Sequence, residues 1–336
     1  PYLLGDFSLD QDPQNGEKPD LSWHKLPRHR DEEQVQLDVN RSFVYYPNNK
    51  TPKQLDRCKQ ELSDLIVQVL RRFPFLHYFQ GYHDICQVFL LVLPPPLRAR
   101  AVCRLSLCRI RDFMLPNMGP TIAQLRLIPD ILHAADPPLR RHLAGTDPFY
   151  ALAGTLTMYA HNIERYGDIA RLFDALLATP PVFSVYMFAQ IILSRRHMLL
   201  DIPADDHAML HVMLSRVPQP LDLEAIIAAT QKLLCRIPPE SLRAYRRLST
   251  SSCIRTAGNK HESLDEAAQH FRRQESELAW EDTRAHVAKT LWKYRKPAQA
   301  VGAAVVVGLF AVYLRKNPAP INYLSSMAYK ASSYMW

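Results

Sequence analysis

The chain has 336 residues, 47% of them apolar and 22% charged, a composition typical of a folded protein with a sizeable core. The net charge of +8 fits work near an anionic membrane surface, but it is too weak to indicate nucleic acid binding. The six cysteines form no C-x-x-C pair and lie mostly among apolar residues, which favours buried free thiols in a reducing compartment.

The first 33 residues are polar and rich in turn-forming residues. They begin at Pro1 with neither Met nor a signal peptide, and we expect that N-terminal residues of the protein are missing. A long amphipathic helix is predicted next, over residues 52–72. Thr51-Pro52 forms its N-cap and first turn, and Phe73-Pro74 ends it.

Further helices are predicted by apolar periodicity between proline-rich turns. Glycine is scarce (10) and proline is plentiful (26), with no strand alternation, so the sequence predicts an all-α protein. The predicted helices span about 80–93, 97–113, 120–134, 149–162, 165–177, 181–195, 204–215, 222–235 and 238–248. We expect one domain over residues 1–250 and a charged, solvated, partly helical linker over 251–297, with helix at 262–290.

Residues 298–314 carry no charge and are flanked by cations on both sides. As a helix this segment would be roughly 25 Å long, at the short end of the membrane-spanning range. A buried core helix is the alternative, but such a helix would normally show a polar face. We predict a single transmembrane helix, a cytosolic domain before it and a short lumenal tail over 315–336.

Two short strings contain the candidate site residues, VQLDVNRS at 35–42 and YFQGYHD at 78–84. Taken alone, each has an ordinary structural explanation. Arg41 would be solvated or would pair with Asp38 one helical turn earlier, a surface pair worth about 0–1 kcal/mol. Gln80 would begin a helix, with Gly81 permitting a close backbone approach.

Together, in this order and about forty residues apart, the two strings resemble the I-x-x-D-x-x-R and Y-x-Q-G-x-x-D motifs of the TBC-domain family, with Val35 replacing the leading Ile. TBC domains are all-helical GTPase-activating proteins for Rab GTPases. A weaker similarity is the string RLFD at 171–174, which is like the family's R-L-W-D string with Phe replacing Trp. The resemblance covers roughly residues 1–250.

The resemblance implies that Arg41 is an arginine finger for the Rab phosphates and that Gln80 orients the attacking water. The residues implied to support these two are Asp38, Tyr78, Gly81 and Asp84. We expect no cofactor or metal in this chain, since GTP and Mg²⁺ would be bound by the partner, a Rab GTPase in its GTP form.

The predicted membrane span makes the chain similar to the endoplasmic-reticulum-anchored type within this family. That similarity implies an ER–Golgi Rab as substrate, a role in ER-to-Golgi traffic and a single-pass location in the ER membrane. Two positions depart from the family pattern, because Gly154 and Met158 fall where bulkier aromatic residues of a core helix are expected.

Two other functions remain open from the sequence. A membrane-tethered module could bind a Rab without accelerating hydrolysis, although the presence of both Arg41 and Gln80 argues against this. A helical scaffold unrelated to GTPases would make both motif matches accidental. Ordinary hydrolases are disfavoured, since the sequence contains no G-x-S-x-G, H-E-x-x-H or P-loop motif.

Overall fold

The computed structural model describes residues 21–47, 50–257 and 262–316, without the side chains at 21, 291, 293–304 and 314. All regular elements in these ranges are helices, which confirms the all-α prediction. The chain divides into two compact units, residues 1–276 and residues 277–336. The candidate site lies in the first unit.

The α-helices of the described residues are, in chain order, α1 (Glu32–Asn40), α2 (Pro52–Arg72), α3 (Tyr82–Val92), α4 (Pro95–Cys108), α5 (Gly119–Leu125), α6 (Leu127–Ala135), α7 (Pro137–His142), α8 (Leu152–Leu156), α9 (Tyr166–Ala178), α10 (Phe183–Ser194), α11 (Arg196–Leu200), α12 (His207–Ser215), α13 (Leu223–Arg236), α14 (Cys253–Thr256) and α15 (Leu264–Lys316). Short 3-10 turns lie at Leu21–Lys25, Arg111–Phe113, Pro148–Ala151, Pro239–Ser241 and Tyr245–Arg247.

Helix α2 begins and ends where the sequence predicts. The Thr51 side chain accepts a hydrogen bond from the Gln54 backbone N–H, and Gln54 Oε1 accepts one from the Thr51 backbone N–H. This reciprocal capping box and Pro52 in the first turn together stabilise the start of the helix. The apolar face of α2 packs on α1, α3 and α4.

The core of the first unit is built around two largely apolar helices. In α3, every residue from Ile85 to Leu90 is buried, and α10 is buried at nearly every position from Phe183 to Ile192. Helix α10 packs on α6 and α13, while α3 packs on α2, α4 and α9. Because α3 begins at Tyr82, within the YFQGYHD string, this string is held at the edge of the core.

Two predicted helices are wrong in extent. The helix expected over 149–162 is a 3-10 turn and the short α8, after which Met158 and Tyr159 adopt positive φ values of 50° and 65°. The helix expected over 238–248 is replaced by two 3-10 turns. Pro238 and Pro239 cannot donate the backbone hydrogen bonds that would extend α13 through this point.

Two other predicted helices are divided. Helix α4 ends at Cys108, and residues 111–113 form a separate 3-10 turn. The helix expected over 120–134 is interrupted at Arg126, which separates α5 from α6. Pro129 has no N–H to bond to the Leu125 carbonyl, so a continuous helix would lack a hydrogen bond at this break.

A buried polar cluster joins the turn after α4 to the segment predicted as a solvated linker. Arg111 is fully buried and donates to the Ser251 carbonyl, with Nε–O and Nη2–O distances of 3.0 and 2.8 Å. Asp112 accepts hydrogen bonds from the Cys253 backbone N–H at 3.1 Å and from Gln274 Nε2 at 3.0 Å. Residues 251–257 and 262–276 therefore belong to the packed first unit.

The six cysteines are free, and Cys58, Cys86, Cys103 and Cys253 are buried, as the sequence predicts. Desolvation by burial raises the pKa of Cys103 to about 11. Such thiols stay protonated near neutral pH and are unreactive.

In the second unit, α15 continues to Lys316 and exposes apolar side chains at Val305–Val307, Leu309, Phe310, Val312 and Tyr313. Among the described residues, no helix is long and apolar enough to cross a membrane. The predicted span at 298–314 includes the side chains at 298–304 and 314, which lie outside the described part of the chain. The predicted tail also lies outside it, from residue 317 onward.

Candidate functional site

A cavity of about 570 Å³ opens at the edge of the first unit. Its wall brings together the end of α1, the 42–46 loop, the 79–81 turn and residues 152–161. Among the residues named as candidates from sequence, the wall includes Asp38, Arg41, Gln80, Gly81 and Asp84. The two sequence motifs therefore meet at one concave surface.

Arg41 is the residue that ends α1, and its backbone N–H donates to the Asp38 carbonyl at 3.0 Å. Its side chain is 69% exposed, whereas that of Asp38 is only 1% exposed. Arg41 Nη2 donates to Asp38 Oδ1 at 2.9 Å. The pair is the i,i+3 contact that the ordinary structural explanation predicts. The same contact holds the exposed guanidinium of Arg41 at the cavity wall.

Asp38 is fixed by two further donors. Gln34 Nε2 donates to its Oδ1 at 3.0 Å, and the Tyr78 hydroxyl donates to its Oδ2 at 2.9 Å. Desolvation by burial, together with Asp38, raises the pKa of Tyr78, so the hydroxyl keeps its proton and remains a donor. The backbone N–H of Tyr78 donates to Asp31 Oδ2 at 3.0 Å, which ties the second motif to the start of α1.

Tyr78 thus contacts the Arg41 side of the site through Asp38. The resemblance implies that Tyr78 supports the Gln80 turn, two residues further along the chain. Its ring also packs edge-on against Tyr82, with centroids 6.1 Å apart. Tyr78 therefore connects the first motif to the beginning of α3.

Gln80 is exposed, and the turn that presents it depends on Gly81. Gly81 is the N-cap of α3 and has a φ of 103°, a conformation that residues with a Cβ rarely adopt. A Cβ at this position would lie 2.6 Å from Thr157 Cγ2. The positive φ and the close approach both require glycine.

We expect Gly81→Ala to destabilise the first unit by about 1–3 kcal/mol, from backbone strain and the clash with Thr157. Gly167→Ala is the matched control, because Gly167 lies within α9 and a Cβ there would meet nothing within 4 Å. Replacing Gly167 should be neutral or stabilising. Denaturant unfolding of both variants checks this, and equal stabilities would contradict the role assigned to Gly81.

Asp84 lies in the first turn of α3, and its backbone N–H donates to the Gly81 carbonyl at 3.2 Å. Its carboxylate faces two histidines, with 3.4 Å between Oδ1 and His83 Nε2 and 3.4 Å between Oδ2 and His161 Nδ1. The side chain of Asp84 is therefore directed at these rings, and its backbone contributes to the turn.

Gln87, which neither sequence motif includes, holds the loop that follows Arg41. Gln87 is buried in α3, where its Oε1 accepts from the Phe43 N–H at 3.0 Å and its Nε2 donates to the Tyr46 carbonyl at 3.4 Å. Phe43 is buried with a φ of 64°. The available signal was a lone amide inside the apolar run ICQVFLL, since a buried amide needs hydrogen-bond partners.

No group of three His, Cys, Asp or Glu side chains arranged to hold a metal ion occurs in the described ranges. Within the site, His83 and His161 each face Asp84 at 3.4 Å, and Asp38 accepts hydrogen bonds from Gln34, Arg41 and Tyr78. The expectation that GTP and Mg²⁺ are bound by a partner stays a prediction.

Residues 1–200 match the Rab-GTPase-TBC domain family. The chain belongs to this family. It is 34% identical over 239 residues to GTPase-activating protein gyp10 of Schizosaccharomyces pombe, covering 70% of this chain and 64% of that protein. It is also 34% identical to TBC1 domain family member 20 of Homo sapiens, covering 71% and 59%, and 36% identical to that of Bos taurus, covering 63% and 53%. The matches thus span less than two thirds of these relatives.

The weaker similarity to the TBC motif at 171–174 falls on α9 of this TBC domain. Leu172 and Phe173 are buried, and the Phe173 ring packs edge-on against Phe89 of α3 with centroids 5.9 Å apart. Arg171 lies outside the core and pairs with Glu224, with a 2.7 Å contact between Nε and Oε1. This string therefore supports α3 from behind and does not reach the cavity.

The two departures from the TBC pattern are accommodated by neighbouring rings. A Cβ on Gly154 would lie 3.1 Å from Phe188 and 3.4 Å from Tyr159, so these rings occupy the space of the missing side chain. Met158 is buried but lies beyond the end of α8. The expected core helix is replaced by a tight turn whose Tyr159 hydroxyl donates to the Ser184 carbonyl at 2.8 Å.

Proposed function

We propose that this TBC domain accelerates GTP hydrolysis by a Rab GTPase, to which it supplies Arg41 and Gln80. The observation that carries the proposal is that both side chains are exposed on the wall of one cavity while the groups that hold them are buried. A cation and an amide presented together from rigid supports suit a phosphoryl-transfer site on another protein.

Arg41 would neutralise the charge that develops on the phosphate oxygens. Its guanidinium is planar and permanently charged, and it can offer two parallel N–H groups to those oxygens. Only Nη2 is engaged with Asp38 in the hydrogen bonds described above, which leaves the rest of the fork directed to solvent. Asp38 would limit the rotamers of Arg41 before the Rab arrives and so reduce the entropy lost on insertion.

Gln80 would orient the attacking water. A carboxamide both donates and accepts hydrogen bonds, so it can hold a water molecule while contacting the Rab backbone. The left-handed turn at Gly81 fixes where this amide projects. Loss of the amide should slow hydrolysis with little change in the binding of the Rab in its GTP form.

The test is single-turnover GTP hydrolysis by a panel of purified Rab GTPases, with and without the chain. We expect strong acceleration of at least one Rab and a loss of about 100-fold or more in Gln80→Ala, since a single transition-state group commonly contributes this much. A folded chain that accelerates no Rab would favour the alternative of a binding module. If, in addition, no Rab binds in a nucleotide-dependent way, the result would favour the other alternative, a helical scaffold unrelated to GTPases.

The substrate we propose is a Rab of ER–Golgi traffic, and the location is the ER membrane, with the domain facing the cytosol. Support comes from the family resemblance and from the uncharged segment 298–314 between flanking cations. The side chains described at the end of this segment are strongly exposed, with Val307 and Leu309 each at 67%. Apolar side chains this exposed on all sides of a helix suit a lipid environment better than water.

We expect deletion of residues 298–336 to leave Rab activation in solution unchanged and to release the protein from membranes into the cytosol. The matched control is deletion of 317–336, which retains the apolar segment and should stay on membranes. Cell fractionation or fluorescence microscopy of tagged chains measures both. Membrane association that survives the larger deletion would contradict the proposed anchor.

A further inference from the structure

His83 lines the same cavity as Arg41 and Gln80 and has no part in the mechanism proposed above. It is in the first turn of α3, and its side chain is only 12% exposed. Its Nδ1 is 3.1 Å from the Tyr78 hydroxyl oxygen, and its Nε2 is 3.4 Å from Asp84 Oδ1. The first of these distances is that of a hydrogen bond, while the second is too long for a strong one.

The hydroxyl proton of Tyr78 has two candidate acceptors. Asp38 Oδ2 is 2.9 Å from the hydroxyl oxygen and His83 Nδ1 is 3.1 Å from it, but one hydroxyl has one proton to donate. A carboxylate is the stronger acceptor and lies closer, so the proton goes to Asp38. His83 must then carry its own proton on Nδ1 and donate it to the tyrosine oxygen.

We propose that His83 is a positioning residue for Arg41. By donating its Nδ1–H to Tyr78, it keeps the tyrosine hydroxyl committed to Asp38, and Asp38 holds Arg41 through the 2.9 Å contact to Nη2. The inference rests on the proposed function, since it concerns how Arg41 is positioned for the phosphates of the Rab. The contacts form one path from α3 through the second motif to the end of α1.

The opposite tautomer of His83 would break this path. With its proton on Nε2, the ring would face Asp84, and Nδ1 would accept the Tyr78 proton. Asp38 would lose one of its donors and would draw Arg41 more tightly to itself. An arginine displaced by about 1 Å from its productive position can cost on the order of 10²-fold in rate.

Protonation of His83 would also disturb Arg41. An imidazolium ring would place a second cation 3.8 Å from Asp38 Oδ2, where it competes with Arg41 for the carboxylate. Desolvation by burial lowers the pKa of His83, so the ring is neutral near pH 7. The titratable or charged groups that face it are Asp38 and Arg41 from the end of α1, Tyr78 from the turn, Asp84 from α3 and His161 from the 157–162 turn.

As the pH falls below 6.5 through the lowered pKa of His83, the ring gains its second proton and stimulation of the Rab should decline. We expect this acid limb in the ratio of stimulated to intrinsic hydrolysis for the wild-type chain. It should be absent from His83→Asn, whose amide does not titrate.

Three substitutions separate the two ring nitrogens. The Asn amide nitrogen is attached to Cγ like Nδ1, so His83→Asn can still donate to Tyr78. His83→Gln carries its amide one atom further out, on the Asp84 side, and His83→Leu removes both groups. We expect Leu and Gln to lower kcat at least 10-fold with KM for Rab·GTP within about twofold, and Asn to recover most of kcat. Equal thermal unfolding midpoints would exclude a loss of folding.

Two further measurements decide between positioning and a merely structural role. In an Arg41→Ala background, His83→Leu should cause no further loss of stimulated hydrolysis, since no arginine is left for His83 to position. Nitrogen NMR of the imidazole should find the proton on Nδ1, a readout that does not depend on any Rab. Three results would each overturn the inference. They are wild-type activity in His83→Leu, a loss of activity in the double variant equal to the sum of the two single losses in free energy, and a proton on Nε2. If the wild-type chain accelerates no Rab, the proposed function fails. The NMR result still decides whether His83 Nδ1 donates a hydrogen bond to Tyr78.

Discussion

Arg41→Ala is expected to lower stimulated Rab GTP hydrolysis by about 10³-fold or more, the range typical of an arginine supplied in trans. The reason is electrostatic, because no other described cation lines this cavity. Binding of Rab·GTP should change much less, since the arginine acts on charge that develops in the transition state. Single-turnover hydrolysis at several concentrations of the chain separates the two effects.

Arg41→Lys should recover little of this activity, because an ammonium group lacks the planar fork that fits two phosphate oxygens. The matched control is Arg57→Ala. Arg57 is 82% exposed on α2 and pairs with Glu61 at i,i+4, so its loss should cost less than about 1 kcal/mol of stability and leave hydrolysis unchanged. Equal losses in the Arg41 and Arg57 variants would contradict the assignment.

The second large effect concerns where the folded unit ends. A chain that stops at residue 250 loses Glu262, which pairs with the buried Arg111 at 3.4 Å. It also loses the donors to Asp112 from Ser252, Cys253 and Gln274. Breaking a buried charged pair costs about 3–5 kcal/mol, a large part of the 5–15 kcal/mol by which domains are typically stable. We therefore expect the chain ending at 250 to be unfolded or molten, and a chain ending at Ser276 to unfold cooperatively in denaturant.

A single substitution tests the same cluster without truncation. Asp112→Ala removes the acceptor shared by Gln124, Ser252 and Gln274 and should lower the free energy of unfolding by several kcal/mol. Asp282→Ala, at an exposed position of α15, serves as the control and should change stability by less than about 0.5 kcal/mol. Identical denaturant unfolding curves for the chain ending at 250 and the chain ending at 276 would contradict this role of the cluster.

The sequence predicts the helices whose limits are set locally. Helix α2 has its own cap, a proline in the first turn and an apolar face, and both of its ends are where the pattern puts them. The segment after α8 is different, because positive φ values at Met158 and Tyr159 are imposed by packing of a buried ring. Local periodicity contains no information about such a conformation.

The predicted linker illustrates a second limit. The charged composition of 251–290 is typical of a solvated segment, yet Cys253, Ile254 and Phe271 are buried in the first unit. Their partners lie more than a hundred residues earlier, as in the contacts of Ser251 with Arg111. Pairing over that distance cannot be obtained from a single sequence window.

In the site, the motifs identify the side chains at the cavity but not how they are held. Arg41, Asp38 and Tyr78 do come together, and the Asp38–Arg41 pair was foreseen from their spacing. The contacts of Gln87 and His83 were not, because each links α3 to a different part of the chain. Their roles depend on hydrogen-bond geometry, which only the folded structure supplies.

If this TBC domain completes the transition state of a Rab GTPase, it should bind Rab·GDP most tightly when aluminium fluoride imitates the transferring phosphoryl group. We would therefore measure the affinity of the chain for Rab·GDP with and without aluminium fluoride. We predict binding at least 100-fold tighter with aluminium fluoride, as expected for a transition-state complex, and loss of that gain in Arg41→Ala and Gln80→Ala. Affinity unchanged by aluminium fluoride, or a gain that survives both substitutions, would contradict the account.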